Sequence, residues 1–143
     1  MFYKTALLLV ALSSANTVFA EPQIKPGKWR ITSVVENPMM PNAQQQVTEE
    51  CITESTIDFE EIMAQVPTDS CSPVTPQFSG NTVTWEVTCD NPMNSAEKIT
   101  GQGTFTSNGT SGEGSFQITM NIPVIGVQTI TSRWQHEYLG ECD

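Results

Sequence analysis

Asn108-Gly109 sits between two runs of alternating polar and apolar residues, and few local patterns restrict a chain so strongly. The stretch runs from Ile99 to Met120. A type I′ turn on Asn108-Gly109 predicts Ser107 facing Thr110, Phe105 opposite Gly112, Gly101 opposite Phe116 and Ile99 opposite Ile118. One face then carries Ile99, Phe105, Phe116, Ile118 and Met120, while the other carries Thr, Gln, Ser and Glu. Two strands agree on which side is the core, so the hairpin is anchored by both.

The first twenty residues read as a signal peptide. Lys4 supplies the charged start, Ala6 to Leu12 the apolar stretch, and Val18-Phe19-Ala20 the small-residue site for cleavage after Ala20. That apolar stretch is too short to span a bilayer, and no later segment is apolar enough. What remains, 21–143, has the size of a single domain with one core, roughly 120 residues. Losing Lys4 takes the formal charge from −10 to −11. This acidity argues against nucleic acid and anionic membranes as partners. It fits a soluble protein of the cell envelope.

Four cysteines remain after cleavage: Cys51, Cys71, Cys89 and Cys142. In an exported chain an even count reads as two disulfides, and there is no Cys-x-x-Cys to suggest a redox or zinc site. Strands are expected at Lys28–Glu36, about Gln44–Ile52 (Val47, Glu49 and Cys51 inward), Ser72–Phe78, Thr82–Cys89, the two arms of the hairpin, and about Val127–Leu139. Turns are expected at Gly80-Asn81 and Ile122–Gly126. One helix is expected between strands two and three, where Phe59, Ile62, Met63 and Val66 follow a helical period and Pro67 ends it.

Seven antiparallel strands in simple order would run strand seven parallel to strand one. A helix crossing from one end of the sheet to the other removes the conflict, since about thirteen residues span roughly the length of a six-residue strand. The expected fold is therefore all-β, a seven-stranded antiparallel up-and-down barrel or strongly curved sheet with one short helix. The crossing puts Cys51 and Cys142 at one end and Cys71 and Cys89 at the other, so those pairs are the expected disulfides. In the register set by Gly80-Asn81, Phe78 meets Val83 and Val74 meets Val87, which leaves Cys71 one residue out of step with Cys89.

Pro26-Gly27-Lys28-Trp29, Met39-Met40-Pro41, the Cys51 region, Asn81 to Trp85 before Cys89, Gly101 with Gly103, and Leu139-Gly140-Glu141-Cys142 carry a resemblance. They are similar to a family of exported proteobacterial proteins known only as a domain of unknown function. The resemblance implies the fold and a periplasmic address, and it transfers no catalytic residue.

Gly101, Gly103, Gly112 and Gly114 share the inward face of the hairpin. Glycine there lets a coiled sheet bend, and the same set can leave a lumen open for an apolar ligand. Trp85, Trp134, His136, Tyr138 and Glu49 are expected to line it with them. His136, the only histidine, reads first as a core or rim residue; a pairing with Glu49 or Ser132 would be needed for acid–base or nucleophilic chemistry. No nucleophile elbow surrounds any serine, and no catalytic residue, metal or cofactor is assigned. The methionines include no Met-x-x-Met repeat for copper, so Met39 and Met40 read as an adaptable contact loop. The expected function is non-catalytic binding of a small apolar molecule or lipid. The alternative is an envelope protein-interaction module acting through Met39-Met40 or a sheet edge.

Overall fold

The computed structural model describes residues 21–60 and 69–143. The expected signal peptide lies outside them, as does most of the expected helix, including Ile62, Met63 and Val66. Seven strands form one antiparallel sheet: β1 (Gly27–Glu36), β2 (Gln44–Ile52), β3 (Gln77–Ser79), β4 (Thr82–Asp90), β5 (Lys98–Ser107), β6 (Ser111–Ile122) and β7 (Gly126–Gly140). Their spatial order is β2-β1-β7-β6-β5-β4-β3. β7 runs antiparallel to β1, with Ile31 opposite His136 and Ser33 opposite Trp134.

This is the cyclic order of an up-and-down barrel, but the sheet does not close: β2 and β3 are its two edges. The seam lies where the chain crosses between them. β3 is shorter than expected because Pro73 and Pro76 cannot donate to a ladder. Around the seam, Ile57, Phe59 and Val74 pack against the core instead, beside Val83, Trp85 and Phe105.

Both disulfides form as expected. Cys51–Cys142 joins the end of β2 to the residues after β7, and Cys71–Cys89 lies toward the opposite end of the sheet. The cysteine mismatch is also present. Phe78 pairs with Val83, while Cys71 bridges Cys89 in a register one residue different. The two registers coexist because residues 72–76, with both prolines, make no strand between them.

The organising hairpin is displaced from its expected register by two residues. Ser107 meets Gly112, Phe105 meets Gly114 and Gly103 meets Phe116. An even displacement keeps every side chain on its expected face. A type I′ turn needs two positive φ angles, and only Gly109 has one, at 85°. The chain instead makes a wider loop, in which Asn108 N donates to Ser111 O at 2.8 Å. That loop is held by the segment before β1. Lys25 N donates to Gly109 O at 2.8 Å, and Ser107 Oγ donates to Gln23 O at 2.5 Å while accepting from Gly109 N at 3.2 Å. On its other side the same segment meets the chain after β2, through Ile24 N to Ser55 O and Ile57 N to Pro22 O. Residues 22–25 thus cross one end of the open barrel and bridge its two halves.

Candidate functional site

The concave face of the sheet is built from alternate residues of every long strand. Trp29 is 1 % exposed, and its indole Nε1 donates to Lys25 O at 2.9 Å, which satisfies the one polar atom this ring brings inside. Its edge meets Tyr138, with centroids 5.6 Å apart. His136 lies between Trp29 and Phe105, with centroids 6.4 and 5.3 Å away. Further along the face, Trp85 stacks with Phe116 at 6.2 Å and meets the edge of Phe59 at 5.2 Å.

The glycines make this arrangement possible. A Cβ on Gly103 would stand 2.0 Å from the Trp85 ring, one on Gly114 2.5 Å from Trp134, and one on Gly112 2.7 Å from Phe105. At Gly101 the neighbours are Val87 and Phe116, at 2.6 and 2.7 Å. Each glycine therefore lets a neighbour's side chain lie flat against the sheet. They do not leave the lumen floor bare, as the sequence reading allowed.

A cavity of 520 Å³ remains above those rings. Its apolar walls are Ile24, Trp29, Ile52, Ile57, Phe59, Val83, Trp85, Val87, Phe105, Phe116 and Trp134. Ser107, Gly112, Ser132, His136 and Thr56 complete the interior, and Ser111, Glu50, Glu54 and Asp58 stand exposed at the rim. The size falls in the range of small-molecule sites, and so does the pattern of apolar walls with a few polar groups.

Of the residues expected to line a lumen, Trp85, Gly112, Trp134 and His136 do so. Gly101, Gly103 and Gly114 lie beneath neighbouring side chains, and Tyr138 packs on Trp29 outside the cavity wall. Glu49 is on the other face of the sheet. There it takes Lys28 Nζ at 3.3 Å and Arg30 at 3.1 Å, while Arg30 also reaches Glu137 at 3.3 Å. Hydrogen bonds from Lys28, then Arg30, hold the Glu49 carboxyl below its ordinary pKa. The expected inward face of β2 is thus reversed: Glu50, opposite Trp29, faces the cavity, and Val47 is 53 % exposed. β2 is an edge strand: Val47 is exposed while Ile52, at its end, joins the cavity wall.

Burial lowers the pKa of His136, so its imidazole is neutral at neutral pH. Among the described residues no buried side-chain nitrogen or oxygen lacks a partner, and no hydrogen bond reaches this ring. His136 borders the cavity. Ser132 is four residues back along β7, roughly 13 Å away at the rise of a strand. With Glu49 on the opposite face, neither residue expected to pair with His136 stands beside it. Met39 and Met40, 51 % and 44 % exposed, lie in the loop after β1 and away from the cavity wall.

Among the described residues no helix is long and apolar enough to cross a membrane. A search of curated proteins and of solved structures gave no match. A family match does cover the strands, both disulfides and the whole cavity wall, over residues 24–142, under the description "Protein of unknown function (DUF3617)". The chain, with its open seven-stranded sheet, belongs to that family.

Proposed function

We propose that this protein is exported to the periplasm and there binds a small apolar molecule, or the apolar part of a lipid, without transforming it. The cavity carries this reading: 520 Å³ walled by three tryptophans and three phenylalanines, with a few polar groups among them. Two disulfides suit an oxidising compartment. The absence of a carboxylate or serine beside His136, among the residues expected to pair with it, favours binding over catalysis.

The test is native mass spectrometry of the mature protein purified from the periplasm without reductant. The expected spectrum carries added mass that disappears on denaturation, leaving a chain about 4 Da below its reduced mass. A bare native monomer that also fails to take up apolar dyes would overturn the binding reading. The second reading, an envelope protein-interaction module, is favoured by one observation of its own. Met39, Met40 and the open edge of β2, with Val47, are exposed on a face that no other strand covers.

A further inference from the structure

We infer that the cavity selects an apolar molecule carrying a cationic amine over the same molecule carrying a carboxylate. This deepens the binding reading above and rests on it. The argument begins with the walls. Trp85 and Trp134 present aromatic surface to the space, with Trp29 buried behind it, and a desolvated ammonium group is attracted to such rings more strongly than to aliphatic walls. The charges at the mouth point the same way. Glu50, Glu54 and Asp58 line it, and among the described residues no lysine or arginine does. Lys25 follows the lining residue Ile24, but its ammonium sits 4.5 Å from the centre of the Tyr138 ring, outside the cavity wall.

The carboxylate of Glu54 is held in its charged form by its own backbone N–H and by the Thr53 hydroxyl. Asp58 accepts a hydrogen bond from Glu60 N at 2.9 Å. His136 contributes no positive charge at neutral pH, because burial opposes its protonation. An anionic head group would therefore meet the carboxylates of Glu50, Glu54 and Asp58, with no lysine or arginine of the described residues in the cavity lining. Fatty acids and anionic lipids are the ligands this mouth disfavours.

A metal ion is a poor alternative. Among the described residues no three His, Cys, Asp or Glu side chains come close enough to hold one. The carboxylates are spread around the rim, which suits the diffuse charge of an organic ammonium whose apolar body fills the space behind. A net charge of −10 over the chain adds a long-range attraction of the same sign.

The experiment compares dodecylamine, dodecanol and dodecanoate, each below its micelle concentration. Binding is read by displacement of a neutral dye and by quenching of tryptophan fluorescence. The amine is expected to bind about tenfold tighter than the alcohol, and the carboxylate more weakly than either. The preference should shrink at high salt, since the rim is exposed. It should also fall to within about twofold in the triple variant Glu50→Gln, Glu54→Gln, Asp58→Asn, whose folding is checked by circular dichroism. Equal binding of all three ligands would overturn the charge inference and leave the binding reading standing. Binding of none would overturn both. Selectivity that survives in the triple variant, once circular dichroism shows it folded, would also sink the assignment to these carboxylates.

Discussion

Gly103 and Trp85 act as one structural unit divided between two strands. They are directly opposite in the β4–β5 ladder, and the indole lies where a side chain on residue 103 would project. Gly114 and Trp134 repeat the pairing across β6 and β7. Trading Gly103 for alanine gains backbone rigidity in the unfolded chain but forces a methyl group into a ring that already occupies its place. Overpacking of this kind costs about 1–3 kcal/mol, so Gly103→Ala should lower the denaturant midpoint with an unchanged slope. Gly80, with nothing within contact distance of its missing side chain, isolates the other effect: its φ of 60° makes alanine unfavourable by backbone strain alone. A Gly103→Ala protein as stable as the parent would mean that the Trp85 ring has another place to go. Such pairs were only half legible in the sequence. The glycines and aromatics alternate visibly on the inward face, but which ring covers which glycine depends on a register that Asn108-Gly109 suggested two residues off.

Elements were more readable than their edges. Alternation located the long strands and fixed the inward faces of β1, β4, β5, β6 and β7, because each of those faces packs against something. It failed on β2. Val47 and Cys51 look like core residues, yet an edge strand has no partner to enforce the pattern; Val47 is exposed, Cys51 reaches Cys142, and Glu50 takes the cavity side. Parts of the cavity lining were also invisible in advance, since Ile24, Glu54 and Thr56 lie in segments with no repeat to read. The disulfides followed from topology and can be ranked by the loops they close. Cys51 and Cys142 are 91 residues apart, Cys71 and Cys89 only 18. In the chain-entropy treatment the longer loop gives about 1.4 kcal/mol more stabilisation. Paired Cys→Ser variants should therefore order with the Cys51–Cys142 double mutant the less stable in urea. The reverse order would mean that strain or residual structure, rather than loop length, sets the contribution of each bond.

At the scale of the whole molecule, the polypeptide path and the spatial path differ by one step. Through space the strands run β3-β4-β5-β6-β7-β1-β2, each beside the next. Along the chain, β1 and β2 come first, so the β1–β7 pairing must wait until nearly the whole domain has been made. The sheet needs only that neighbours be antiparallel and is indifferent to where the covalent chain starts. Lys28 and Gly140 are paired, so the beginning of β1 and the end of β7 are adjacent. A circular permutant could link them with a short flexible tether and open the chain within residues 61–68. It would turn every pairing in the sheet into a simple hairpin between successive strands. Lower contact order speeds folding, and such a chain with its disulfides reduced should refold about tenfold faster than the parent in stopped-flow fluorescence. An unchanged rate would mean that the slow event lies within the meander from β4 to β7. The native order of strands would then be, kinetically, a rotation of the same ring.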